Sequence, residues 1–130
     1  MDHKVVFPDK DPDWKNPVIV TQIPDDAIAL DIGPKTIELF TKAVSDAKTI
    51  FWNGPMGFFE KEGFAGGTLA MARAITEAKS IKVAGGGDTL SAISTFELGA
   101  RFDLLSTGGG ASLKYLEGRG LPGIDILRGK

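Results

Sequence analysis

The rhythm of apolar and polar positions changes near residue 27. Before it, the short apolar runs KVVF (4–7) and VIVTQI (18–23) flank the Pro- and Asp-rich stretch PDKDPDWKNP, and PDD follows at 24–26. Prolines at 8, 12, 17 and 24 forbid a long helix there, since each fixes φ and removes a donor, so residues 1–27 read as a strand-and-turn lead-in. IALDI (28–32) is a short apolar run, and Gly33-Pro34 then opens a helical pattern with Ile37, Phe40, Val44 and Ala47 on one face. Proline suits a first helical position, where its missing N–H would be unpaired anyway. The same unit recurs over residues 28–130. KTIFW (48–52) is a strand, NGPMGFFEKEG a glycine-rich loop, and Phe64 to Ala78 a helix with Leu69, Ala72 and Ile75 inward. SIKVA (80–84) leads through GGG to a helix from Asp88 to about Gly99 carrying Leu90, Ile93 and Phe96, and FDLLS (102–106) leads through TGGG to a last helix, Ala111 to about Glu117. Four strand-helix alternations predict an α/β fold with a parallel sheet and right-handed crossovers.

Bulk composition narrows the function classes. The 130 residues make about one ordinary domain, and the 42% apolar and 25% charged fractions suit a globular chain. No apolar run approaches the ~20 residues of a membrane helix, and the start MDHKVVFPDKDPDW lacks the basic and apolar regions of a signal peptide. Cytosol is the simple reading. The 15 Lys+Arg and 17 Asp+Glu are mixed along the chain for a net charge of −2, so no nucleic-acid or acidic-membrane footprint exists. With no cysteine, disulfide, thiol-nucleophile and Cys-metal chemistry fall away, and the single His3, near a terminus, is read as a solvated side chain.

Three glycine-rich loops, Asn53 to Gly57, Gly85 to Gly87 and Gly108 to Gly110, follow predicted strands. In open sheets of this kind ligands sit beyond the carboxyl ends of the strands, so these loops are expected to face one crevice. A helix N-terminus offers free N–H donors and partial positive charge, and glycines ahead of it admit a phosphate close to the backbone. GGGDT and TGGGAS both have this form, although a tight strand-to-helix corner also asks for glycine, and neither fits the G-x-G-x-x-G or G-x-x-x-x-G-K-[ST] spacing. Asp88 reads first as a helix cap and second as a carboxylate for Mg²⁺, a hard cation that stays partly hydrated beside phosphates. Asn-Gly-Pro in WNGPMG is foremost a turn signal, and Glu60 by itself is a surface carboxylate. Without a nucleophile-base pair, covalent catalysis is disfavoured, whereas phosphoryl transfer runs largely on positioning and charge neutralisation.

LDIGPKTIELF, WNGPMGFFE, AGGGDT and STGGGASLKYLEGRGLPG, in this order and spacing, resemble the C-terminal part of phosphoglycerate kinase over about Val5 to Leu127. The resemblance implies a Rossmann-like parallel sheet with flanking helices, part of the nucleotide-binding C-terminal domain of a two-domain kinase. It implies a cytoplasmic glycolytic enzyme that transfers a phosphoryl group between MgATP and 3-phosphoglycerate, with hinge closure joining the two domains. By motif position, Gly86, Gly87, Asp88 and Thr89 would contact the nucleotide phosphates, with Asp88 on Mg²⁺. Glu60 would bond the ribose hydroxyls, and Leu30, Asn53, Pro55 and Phe58 would line the cleft. Gly108, Gly109 and Gly110 would face the transferring phosphoryl group as catalytic residues, and Ser106-Thr107 matches the hinge. Phe58 stands where a smaller aliphatic is usual, Ala29 replaces a common glycine, and Lys114 a frequent Glu. The resemblance also implies that the phosphoglycerate-binding domain, the first strands and helices of the nucleotide domain and a phosphate-binding lysine belong to sequence outside this chain. On that basis Met1 followed by mid-domain sequence reads as a fragment, with ATP or ADP and Mg²⁺ as ligands and the remaining N-terminal part of the enzyme as partner. An exposed sheet edge and apolar face are then expected, as is the alternative of a non-catalytic folding or assembly unit with little nucleotide affinity.

Overall fold

The computed structural model describes residues 1–107, in two three-stranded sheets with three helices. Strands β1 (His3–Val6), β2 (Val18–Val20) and β3 (Ile28–Ile32) form an antiparallel sheet in the order β2-β1-β3. Strands β4 (Thr49–Asn53), β5 (Ile81–Gly85) and β6 (Leu104–Ser106) form a parallel sheet in the order β4-β5-β6. The helices are α1 (Pro34–Ser45), α2 (Gly66–Glu77) and α3 (Gly87–Thr95), with short 3-10 turns at Glu62–Phe64 and Gly99–Arg101. Among the described residues, no helix is long and apolar enough to cross a membrane.

IALDI does not begin the parallel repeat but runs antiparallel to β1, pairing His3 with Ile32 and Val6 with Ile28 across an irregularity between Lys4 and Val5. Parallel strands are covered on both faces and read as continuous apolar runs. IALDI instead buries a carboxylate, Asp31, and leaves Ile28 41% exposed, which suits a sheet with one open face. The parallel sheet is therefore built from three of the four expected strands, and the helix expected at 111–117 lies outside the described residues.

The main core lies between the parallel sheet and its helices. Ile50, Trp52 and Ala84 from the strands meet Ala72, Ile75 and Ala78 around α2 and Ile93 of α3. Of the apolar positions expected to face inward, Ala72, Ile75 and Ile93 are buried and Leu90 and Phe96 pack at the margin. Trp52 stacks on Phe102 with ring centroids 6.3 Å apart and donates its indole N–H to the Gly54 carbonyl at 2.7 Å. Phe40 and Val44 of α1, with Phe51, Trp52, Met71 and Ile75, line an apolar groove of 250 Å³ beside β4. Among the described residues β4 pairs only with β5, so its other edge is open.

Helix α3 ends earlier than its apolar spacing predicts. Glu97 adopts φ 58°, and the N–H groups of Glu97 and Leu98 donate to the carbonyls of Ser94 (3.1 Å) and Ile93 (3.1 Å). This is a Schellman closure, usually made with glycine at the left-handed position. Here Leu98, packed on the core beside Ile93, fixes the stop before Gly99 is reached.

Candidate functional site

The site is assembled from helix starts. Each of the three helices carries a threonine at its third residue, Thr36, Thr68 and Thr89, and each is buried to 1% exposure or less. Burial and the hydrogen bonds each makes hold these hydroxyls in place on the first turn. Thr36 accepts the Asp2 N–H at 2.7 Å and lies 2.8 Å from Asp2 Oδ1, while the Asp2 carboxylate also accepts the N–H groups of Lys35 (3.1 Å) and Thr36 (2.8 Å). Asp2 thereby caps α1 from a distant segment. Burial pushes its carboxyl up, but the Thr36 and Lys35 hydrogen bonds outweigh that and hold it below the usual carboxylate range.

Asp31 does the corresponding work for α2. Its carboxylate accepts the N–H of Gly67 at 2.9 Å and its neighbour Ile32's at 2.9 Å, with only 5% of the residue exposed. A Cβ on Gly67 would collide with the Asp31 carboxylate and with Ile32, so close approach dictates that glycine. Burial pushes the Asp31 carboxyl above its ordinary value, against the opposing pull of the two N–H groups and of Lys4. Neither Asp2 nor Asp31 was singled out from the sequence. A carboxylate inside an apolar run, with a Gly-Gly pair opening the helix of the following strand-helix unit, is the signal that could have found Asp31.

The loops after β4 and β5 come together, as the carboxyl-end rule expects. Gly54 N–H donates to Thr89 Oγ1 at 2.6 Å, and Met56 and Gly57 N–H groups donate to Thr68 Oγ1 at 3.1 and 3.3 Å. Gly86 takes φ 95°, a left-handed region that disfavours any side chain, and its N–H donates to the Ser106 carbonyl at 2.9 Å. A Cβ there would also stand 2.7 Å from Asn53 Oδ1. Asn53, Gly86 and Thr89 thus meet at the carboxyl end of the parallel sheet. Next to them Gly87 and Asp88 begin α3, both exposed, and nothing among the described residues approaches the place of a Gly87 Cβ.

Leu30, Pro55 and Phe58 meet on the other side of the same loop. They line a groove of 430 Å³ with His3, Ala29, Asp31 and neighbouring residues, and the Phe58 N–H donates to the Leu30 carbonyl at 2.8 Å. The Phe58 ring, 42% exposed, meets Trp14 edge-on with centroids 6.2 Å apart. Trp14 itself has φ 55°, and Lys61 Nζ lies 5.4 Å from the centroid of its ring while donating to the Asp13 carbonyl at 2.6 Å. The lead-in stretch therefore reaches the candidate site, which its turn-rich composition did not announce. Glu60 is exposed on the turn after Phe58, and Gly108, Gly109 and Gly110 lie outside the described residues. Among the described residues, no three His, Cys, Asp or Glu side chains gather into a metal cluster.

An open α/β sheet with flanking helices, and with glycine loops meeting at its carboxyl ends, defines the class of protein. Residues 2–119 match the family model for phosphoglycerate kinase, and the chain belongs to that family. It is 53% identical over 122 residues to phosphoglycerate kinase of Desulfosudis oleivorans, covering 94% of this chain and 30% of that protein. Against the Clostridium perfringens enzyme it is 45% identical, with 100% of this chain and 32% of the relative covered. The solved phosphoglycerate kinase from Coxiella burnetii superimposes with a TM-score of 0.83 at 36% identity, over 97% of this chain and 33% of that one. The structure from Pyrococcus horikoshii gives 0.78 at 30% identity, over 98% and 31%. The chain thus spans about a third of the length of the relatives it matches.

Proposed function

We propose that this chain supplies part of the MgATP and MgADP site of a phosphoglycerate kinase, a cytoplasmic enzyme of glycolysis that moves a phosphoryl group between MgATP and 3-phosphoglycerate. The observation that carries this reading is the turn after β5. Gly86 is required by its left-handed backbone, but no described neighbour asks for glycine at Gly87, which opens the start of α3 to a ligand. The cap residue Gly86 brings no side chain to the first helical N–H groups, and such groups favour phosphate oxygens.

In this reading Gly86, Gly87 and the backbone of Asp88 and Thr89 hold phosphate, and the Thr89 hydroxyl faces inward to Gly54. The exposed Asp88 carboxylate fits Mg²⁺, which takes one or two carboxylates and fills its remaining positions with water and phosphate oxygens. The ion supplies neutralisation of the charge on the phosphates. Leu30, Pro55 and Phe58 line the nucleoside end of the cleft, Asn53 lines it beside Gly86, Glu60 would reach the ribose hydroxyls, and Gly108, Gly109 and Gly110 would face the transferring phosphoryl group. This chain is part of the C-terminal domain, and the 3-phosphoglycerate site belongs to the N-terminal part of the enzyme, its partner across the hinge.

Calorimetric titration of the chain with MgADP tests the reading. Weak saturable binding is expected, and Asp88→Asn should weaken it by about 10-fold, the scale of a lost charge-assisted contact. Equal binding by wild type and Asp88→Asn removes Asp88 from the metal site. A coupled assay of the chain with 3-phosphoglycerate should give no turnover, and turnover would contradict the placement of the acceptor site. A second reading, a non-catalytic folding or assembly unit, is favoured by the apolar groove between α1, β4 and α2 and by the open β4 edge. Absence of MgADP binding by the folded chain supports that reading instead.

A further inference from the structure

The segment from Gly54 to Phe59 belongs to no helix or strand, yet it lies against the candidate site, and its backbone donors must still find partners. Pro55 has no N–H. Gly54 donates to Thr89 Oγ1, Met56 and Gly57 to Thr68 Oγ1, Phe58 to the Leu30 carbonyl and Phe59 to the Gly57 carbonyl at 2.9 Å. Three of these five donors end on two threonine hydroxyls, and Thr68 alone receives two. Thr68 is completely buried on the first turn of α2, so its Oγ1 position is set by the helix rather than by the loop.

We propose that Thr68 is a positioning residue of the nucleotide site: its hydroxyl sets the path of Met56 and Gly57, and through them where Pro55 and Phe58 stand along the groove. This rests on the nucleotide reading given above. A side chain of the same shape without the oxygen would leave two inward-facing N–H groups without their acceptor, and the loop would swing out to water to satisfy them. Pro55 and Phe58 flank the two tethered residues, so that swing would displace the groove wall they form with Leu30.

Two variants separate the hydroxyl from the packing. Thr68→Val keeps the shape and removes the acceptor; Thr68→Ser keeps the acceptor and removes a methyl. NMR-detected hydrogen exchange reads the Met56 and Gly57 amides, and calorimetry reads MgADP affinity, both on the 130-residue chain. In Thr68→Val, exchange at those two amides should quicken about 10-fold relative to α2, and MgADP affinity should fall about 10-fold, the scale of one buried donor left unpaired. Thr68→Ser should stay within about 3-fold of wild type in both. Unchanged exchange and affinity in Thr68→Val overturn the proposal, as does an equal loss in Thr68→Ser, which would assign the effect to the methyl. Should Thr68→Val not fold, the affinity of Thr68→Ser decides alone, near wild type in support and weakened about 10-fold in contradiction. A folded wild-type chain that does not bind MgADP overturns the nucleotide reading and the role of Thr68 in that site. It is told apart from failure of the loop tether by the exchange contrast, which needs no nucleotide.

Discussion

The two sheets meet their neighbours in opposite ways. The antiparallel sheet β2-β1-β3 delivers buried carboxylates to helix starts: Asp2, just ahead of β1, caps α1, and Asp31 of β3 caps α2. The parallel sheet β4-β5-β6 delivers loops to a helix start where Asp88 is exposed and where, among the described residues, the cap position Gly86 offers no side-chain oxygen to α3. Where the protein supplies its own anion the helix N-terminus is closed, and its glycine is a matter of packing. At α3 the described residues supply none, and on the proposed reading that N-terminus takes its anion from outside.

Glycine substitution gives the sharpest contrast. Gly67→Val drives a side chain into Asp31 and Ile32 and should cost about 3 kcal/mol in urea unfolding. Gly87→Ala meets no described neighbour and should change stability by less than about 0.5 kcal/mol. A large loss at Gly87 would make that turn a packing device like the other. Next in size, Asp31→Ala removes the acceptor of the Gly67 and Ile32 N–H groups and should cost about 2 kcal/mol by the same measurement.

The two caps should also part company in acid. Asp2 titrates below its ordinary 3.8 in the folded chain, so its contribution is present above that value and is lost as pH falls through the folded pKa. Asp31 titrates above 3.8, so its contribution is fully present below that value and is lost as pH rises through the folded pKa. Asp31→Asn deletes the falling component, so above pH 3.8 stability should rise more steeply with pH in the variant than in wild type. Asp2→Asn should flatten the rise below pH 3.8. Parallel curves for the two variants would deny that the carboxylates sit in opposite environments.

A loss smaller than those at Gly67 and Asp31 is expected where the lead-in reaches the site. Trp14→Ala removes the edge contact with Phe58 and the ring beneath Lys61, and should lower stability by about 1 kcal/mol while shifting NMR signals of residues 58–61. Signals of α3 should stay in place.

Much of this was legible in the sequence because strands, helices and glycine turns are local. The βα units from residue 48 to the turn after β5 follow directly from the apolar spacing; of the four residues expected to line one cleft, Leu30, Pro55 and Phe58 line one groove and Asn53 lies instead beside Gly86. Partnership was not legible. IALDI looks alike whether its neighbour is parallel or antiparallel, and the choice is settled by the buried Asp31 and by residues 3–6, far away in sequence. Glu97 in a left-handed cap was hidden because glycine is the usual occupant, and Gly99 stood two residues further on as a decoy. The third-position threonines were visible as GPKT, AGGT and GGDT, but only the structure reveals that each hydroxyl is spent on another segment.

The proposed nucleotide site requires the start of α3 to be open to a phosphate. NMR titration of the chain with MgADP reads it directly through the amides of residues 85–89. The expected result is saturable movement of those amides together with those of residues 54 and 56–58, while β1 and β2 stay still. Amides of 85–89 that do not move would contradict it.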